Sequence, residues 1–450
     1  MLNRNNNESK RSEFYLKNIK NIKIFEKTSE NFFQKSLNMP KSGTVEFLLI
    51  PTVILFTLWV LQNAKKKGIK TLFFLARDGY PSYIIAKKLC QKYDLGIECK
   101  YFYCSRYSLR VPMYSEDIGE ALSYICRNGI DVTFNKILIR SGFSNEQSDH
   151  FRSVFNDIDF NKVLSYSELS YFKERLMSCD EYIKLLNEVS TNARKGLKAY
   201  FTDRGMLGED IAIADSGWTG TTQRSINAIR RYFGCKTDVI GFYFGLFEVP
   251  ADCCVKDYNY FYFGPKKGLK NKVFFSNCLY EALFHANSGT TLGYKIEHEA
   301  VPVLDEYILD EYNESFLNTL ENYTDYMIDS NSLNGLFECN TDKYKTYLGK
   351  SLRKFMWSPT KGEAEFFGKL RFSDDLLDNC VKEVAPIFSD EYLKENHFLN
   401  KLLCAYGIRK KAVHESAWYE ASVVRNGKHL LRHKCSYSLY RMLSYIKKGL

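Results

Sequence analysis

The 450-residue chain lacks most of the signatures that assign a protein at sight. Its thirteen cysteines are scattered, and the adjacent pair Cys253-Cys254 has no partner pair at zinc-finger spacing. That argues against a secreted disulfide framework and for reduced thiols. The opening MLNRNNNESKRSEF is polar and contains no apolar stretch of the secretory kind, so a cytoplasmic location is expected. Neither an internal repeat nor a low-complexity linker interrupts the chain. No Gly-Lys-Ser/Thr follows its strand-like turns, which disfavours a Walker-type kinase. The net charge of +10 comes without a zinc finger, an RNP-type aromatic strand or a helix-turn-helix, so nucleic acid is not an expected partner. The charge suits a polyanionic ligand or an anionic membrane surface instead.

What is present describes a packed globular protein, with 45% hydrophobic and 15% aromatic residues. The longest apolar run, FLLIPTVILFTLWVL from Phe47 to Leu61, is shorter than the ~20 residues of a membrane span. Pro51 interrupts it, and it reads as a core helix that ends at KKKG with Gly68. Residues 1–70 form a helical N-terminal segment, the first forty of them as short helices or a loose arm. Residues 71–112 and 207–303 form an α/β core around a parallel sheet, with a helical insertion at 113–206. A helical region with a basic tail follows at 304–450. In the core, TLFFLA (71–76), YIIAKKLCQKY and CKYFYCS (99–105) read as strand, helix and strand. Further on, IAIAD is a strand, SGWTGTT a loop, QRSINAIRRYF a helix and TDVIGFYFGLF (237–247) another strand. Between Arg425 and Leu450, Arg425, Lys428, Arg432, Lys434, Arg441, Lys447 and Lys448 alternate with leucines, and no acidic residue occurs. That pattern fits a peripheral membrane contact or a solvated helix docked on the domain.

Two loops carry chemistry. The Ser/Gly/Thr residues of SGWTGTT direct amides and hydroxyls at one point, at the positive end of the following helix. Such a loop holds a phosphate monoester, with Asp215 beside it at the strand's C-terminal edge, where open α/β sheets bind ligands. Arg77-Asp78-Gly79 follows the first strand, while Ser105-Arg106 and Arg110 follow the second. Arginine is suited to two-pronged phosphate contact. Glu281 and His285 fall at i, i+4 on one helix face, without a third ligand at recognisable spacing, as a structural pair or an acceptor-site element. Trp218 is a core residue or a sugar-stacking face.

The loop Ala214-Asp215-Ser216-Gly217-Trp218-Thr219-Gly220-Thr221-Thr222 resembles the phosphoribosyl-binding loop of type I phosphoribosyltransferases. That loop has two acidic residues, three variable positions and Thr-Gly-x-Thr. Asp215 matches the second acidic position, and Ala214 departs from the first. FLARDGY, YxYxSR, ADSGWTGTTQ and GFYFG together are similar to the glycan 5-phosphoribosyltransferases of bacterial capsule and O-antigen loci, over roughly residues 45–295. The resemblance implies a type I phosphoribosyltransferase-like sheet and a magnesium-dependent pentosyltransferase. Such an enzyme moves 5-phosphoribosyl from phosphoribosyl pyrophosphate to a sugar hydroxyl of a polysaccharide or lipid-linked glycan.

It further implies that Arg77, Asp78, Gly79 and Arg106 hold pyrophosphate. Asp215, Ser216, Gly217, Trp218, Thr219, Gly220, Thr221 and Thr222 would hold the ribose and its 5-phosphate. Asp78, then Glu281, are the candidate bases, and Asp78 is also a candidate Mg²⁺ ligand through water. Expected partners are a HAD-type phosphatase that removes the 5-phosphate and other glycosyltransferases. The chain itself is not expected to be such a phosphatase: where the nucleophile of Asp-x-Asp is needed it has Ala76-Arg77-Asp78. A small-metabolite phosphoribosyltransferase and a non-catalytic ligand-sensing or assembly protein on the same fold are the alternatives.

Overall fold

The structure, a computed structural model, describes residues 2–26, 42–127, 132–155, 157–307, 310–331, 333, 340–373, 381–405, 413–447 and 449. Its centre is a five-stranded, wholly parallel sheet of β1 (Thr71–Leu75), β2 (Glu98–Phe102), β3 (Ile211–Trp218), β4 (Ile240–Leu246) and β5 (Tyr258–Phe263). The spatial order is β2-β1-β3-β4-β5. From β1 the chain turns outward to β2, and after the insertion it returns to lay β3 on the other side of β1. The gap between the carboxyl ends of β1 and β3 is therefore a switch point, where parallel sheets leave a crevice.

These strands are apolar on both sides because helices cover both faces. Leu72, Phe74, Ala212, Ala214, Phe242 and Phe244 meet the helices Ile50–Lys66 and Tyr80–Lys92. Phe73, Leu75, Ile211, Ile213 and Tyr243 meet Asp180–Arg204 and Thr221–Tyr232. The result is a mixed α/β protein with a three-layer core.

Among the described residues only Val45–Lys66 is long and apolar enough to cross a membrane, and 89% of its apolar window is buried inside the protein. Its rings lock onto the sheet, with Trp59 edge-on to Phe242 at 5.9 Å and Phe56 edge-on to Phe244 at 5.6 Å. It stops before Gly68, whose φ of 71° suits glycine.

Between β2 and β3, the helices Phe134–Arg140, Asn145–Val154 and Tyr166–Met177 each begin on a capping Thr133, Ser144 or Ser165. They enclose a core of their own around Phe134, Phe151, Phe172 and Tyr182. The N-terminal helix Leu2–Lys20 is no loose arm. Its buried Tyr15 donates to Glu363 at 2.7 Å, and Arg11 pairs with the same carboxylate. The remainder of the expected arm, residues 27–41, lies outside the described residues.

The boundary that matters most to the site differs from the sequence reading. β3 does not stop at Asp215 but continues through Ser216-Gly217-Trp218, pairing Gly217 with Gly245 and Trp218 with Leu246. Aromatic burial pulls the strand onward: Trp218 packs among Phe263, Phe275 and Tyr280. Gly217 makes this possible. Its φ is 130°, and a Cβ there would stand 1.9 Å from the carbonyl oxygen of Gly245. Gly217→Ala is expected to destabilise the fold by about 3 kcal/mol or more, read as a lower urea midpoint at unchanged slope.

Candidate active site

The crevice between β1 and β3 gathers residues from four separate parts of the chain. Gly79 lets the turn after β1 fold back on the strand, since a Cβ there would meet the Leu75 carbonyl oxygen at 2.5 Å. Arg77 is anchored through its own carbonyl, which accepts from the amide of Ala286 at 3.1 Å. The Ala76–Arg77 peptide is cis. Asp78 then faces β3, where the Ser216 hydroxyl donates to it at 2.6 Å. The amide of the same Ser216 donates to Asp215 at 2.9 Å. Glu281 arrives on the helix Asn277–Leu283, capped by Ser276, and accepts from the Trp218 indole N–H at 2.5 Å.

Three carboxyl groups thus share one half-buried place, and each is pushed up to about 7. For Asp78 the first cause is burial and the second the charge of Asp215, opposed by the Ser216 bond and by Arg77 and Arg106. For Asp215 burial leads again, opposed by the Ser216 amide; Glu281 adds repulsion and Arg106 relieves it. Glu281 is raised by burial and by Asp78, and held back by Trp218, Arg106 and Arg77. Carboxyl groups near neutrality can exchange a proton at physiological pH, which is what general acid–base work requires.

The residues named from sequence divide into two groups. Arg77, Asp78, Arg106, Asp215 and Glu281 form one electrostatic cluster. Arg106 opens the helix Arg106–Arg110, behind the Ser105 cap. The Thr219-Gly220 bend leads into Thr221–Tyr232, with Gly220 at φ 64° and Thr219, Thr221 and Thr222 half-buried. Their hydroxyls and the first-turn amides are the phosphate-type donors.

Ser216, Gly217 and Trp218 do not belong to that loop. They lie in β3, with Ser216 turned to Asp78 and Trp218 in the core. Arg110 is also elsewhere, stacked over the Tyr124 ring at 3.9 Å. Glu281 and His285 share no helix face, because the helix ends at Leu283 and Phe284 has left helical geometry. His285 instead joins the Asn313 amide at 3.2 Å.

The departure at Ala214 has a physical reading. Its side chain is fully buried among the apolar groups that face Ile50–Lys66, so a carboxylate there would be desolvated without a partner. Asp78 and Glu281 supply the additional carboxyls.

One part of the site went unnoticed in the sequence. Tyr80, Tyr83, Tyr101 and Tyr103 form a half-exposed aromatic wall at the β2 edge, with the Tyr101–Tyr103 centroids 4.8 Å apart. Tyr101 also feels the Asp78 charge. The Tyr101 hydroxyl faces Ser288 and the Tyr307 hydroxyl faces Asn313. None of the four groups completes a hydrogen bond through these atoms: Tyr101 Oη, Ser288 Oγ, Tyr307 Oη and Asn313 Oδ1 are buried and unpartnered. The Tyr-x-Tyr alternation of β2 was the available signal, since i and i+2 share a face.

The carboxyls make the site a stability liability. Each rises from its ordinary value, 3.8 for Asp78 and Asp215, to about 7, so the native state holds the proton more tightly than the unfolded chain. The stability this gives is complete below about pH 4 and is lost as pH rises through about 7. Asp78→Asn is therefore expected to raise the melting temperature most at pH 8, less at pH 5, and to leave it nearly unchanged below about pH 4. The difference is set by about 1.4 kcal/mol per unit of pKa shift removed. Melting temperature followed from about pH 3.5 to 8 for both proteins checks this.

No protein-family model matches the chain, and no curated protein matches it.

Proposed function

We propose that the protein is a glycan 5-phosphoribosyltransferase built on a variant of the type I phosphoribosyltransferase fold. One observation supports the reading: Asp215, on the strand that leads to the Thr219–Thr222 helix start, shares one electrostatic cluster with Asp78, Arg77 and Arg106. Each half alone is a generic anion site. Together they suit a donor with a phosphate at one end, a diphosphate at the other and a diol between.

In this reading the amides and hydroxyls of Thr219-Gly220-Thr221-Thr222 hold the 5-phosphate. Asp215 accepts from the ribose 2- and 3-hydroxyls. Arg77 and Arg106 face the pyrophosphate, whose charge grows as its bond to C1 breaks. The acceptor hydroxyl forms the new bond to C1 from the opposite face, giving a β-linked product. Its proton passes to a carboxylate: Asp78 first, Glu281 second. The tyrosine wall supports a sugar acceptor, because rings pack on the apolar faces of sugars while unpartnered hydroxyls receive their polar edges.

The donor set fits Mg²⁺. Asp78 and Asp215 offer hard oxygen ligands, and Mg²⁺ binds through one or two carboxylates plus substrate phosphates. When bound it would neutralise phosphate charge. Ala76 occupies the position a HAD nucleophile needs, so removal of the 5-phosphate falls to a separate phosphatase.

The test combines phosphoribosyl pyrophosphate, Mg²⁺ and a panel of bacterial glycan acceptors, with pyrophosphate release and acceptor mass followed together. A phosphopentose added to an acceptor is expected, and Asp215→Asn should lower turnover by roughly 10³ or more. Donor affinity is measured separately by calorimetry. Binding without release on any acceptor would favour a ligand sensor, and absence of donor binding would sink the fold assignment.

A further inference from the structure

The C-terminal helix Leu430–Lys447 is turned inside out relative to an ordinary surface helix. Its inward face is polar and aromatic. His433 pairs with Asp390 at 2.9 Å, and the Ser436 hydroxyl accepts from the Phe398 amide at 3.0 Å. Arg441 donates to the carbonyls of Lys272 and Phe275 at 2.9 and 2.6 Å, and Tyr445 stacks on Phe247 at 5.6 Å. Its outward face carries Leu431, Leu439, Met442, Leu443 and Ile446, each 37% to 71% exposed.

At 100° per residue these five fall in one stripe along the helix. Rotating them inward would break every contact just named. The neighbouring helix Phe398–Ala405 adds exposed Leu399 and Leu403. A monomer rarely leaves such a row of aliphatic side chains in water without use.

The exposed charges around the stripe are mostly positive. Arg432, Lys428 and Lys447 are exposed on or beside it, as are Lys266, Lys267 and Lys270 next to the Leu269–Val273 helix on which Arg441 docks. The tail is less basic outside than its sequence implies. Arg425 is paired with Glu383 and Glu365, Lys434 is buried near Glu420, and Arg441 points inward. Lys448 lies outside the described residues. The acidic groups near the helix are paired: Asp390 with His433 and Lys394, Glu420 opposite Arg441 and Lys434, and the exposed Glu415 with Lys401 of the neighbouring helix.

We propose that this face docks the protein on an anionic bilayer surface, the aliphatic stripe entering the acyl boundary and the flanking cations meeting lipid phosphates. Aliphatic area supplies the binding and the predominantly positive rim selects the lipid. The inference stands on the helix alone and does not depend on the reaction at the sheet edge.

Flotation of the full chain with vesicles of phosphatidylglycerol and phosphatidylethanolamine, against phosphatidylcholine vesicles, tests it. Binding to the anionic vesicles only, weakened by salt, is expected. Leu439→Gln with Leu443→Gln should weaken it about tenfold or more. Arg432→Ser should weaken it about fivefold at low salt. These positions are exposed, so unchanged melting temperatures verify that the variants fold. No binding, or binding that the double variant leaves intact, would overturn the proposal. So would light scattering that shows a dimer converted to monomer by the leucine changes, because the face would then join two copies of the chain.

Discussion

Ser216 donates its hydroxyl to Asp78 and its amide to Asp215, and so ties a carboxyl of the turn after β1 to one on β3. Much else in the core can be understood as keeping that contact in place. β1 and β3 must be neighbours, although 135 residues separate the end of one from the start of the other in the chain. β3 must continue past Asp215 so that Ser216 sits in a strand and not on a mobile loop. Trp218 secures the continuation by burying its ring while its N–H holds Glu281. The carboxyls repel one another and are poorly solvated, so the aromatic packing beneath them is what makes their proximity tolerable. This is the usual relation between a strained site and the stable scaffold that holds it.

The two ends of the molecule use polar contacts in an unusual way. At the N-terminus Tyr15, Arg11 and Glu363 form a buried knot between the first helix and the Lys361–Phe367 helix. At the C-terminus Arg441 and His433 fix a helix by its polar side. Buried polar groups of this kind contribute modest net stability but are expensive to leave unpaired, so they determine which way a helix faces. The outward leucines of Leu430–Lys447 follow from that choice.

Much of the fold could be read along the chain. Apolar and aromatic runs gave the strands, their alternation with helical stretches gave an α/β core, and the apolar run ending at Gly68 gave a core helix. The reading was weaker where tertiary packing overruled local composition. Ser216-Gly217-Trp218 has loop composition, yet pairing with Gly245-Leu246 and the pocket for Trp218 draw it into β3. Glu281 and His285 have helical spacing, yet the helix ends between them, so spacing alone misplaced the pair.

What the sequence by itself determined is the inventory: two short strand-end motifs with arginine, aspartate, glycine and threonine, and a positively charged tail without acids. Local patterns suffice for these, because periodicity and turn chemistry act over a few residues. The tertiary structure decided which of them meet. The order β2-β1-β3-β4-β5 brings Asp78 against Ser216, the packing of Trp218 brings Glu281 to both, and the β2 edge adds the tyrosines. It also decided which side of the last helix faces water. These depend on contacts between residues far apart in sequence, whose energies are burial and charge, and neither is written in the spacing of any one segment.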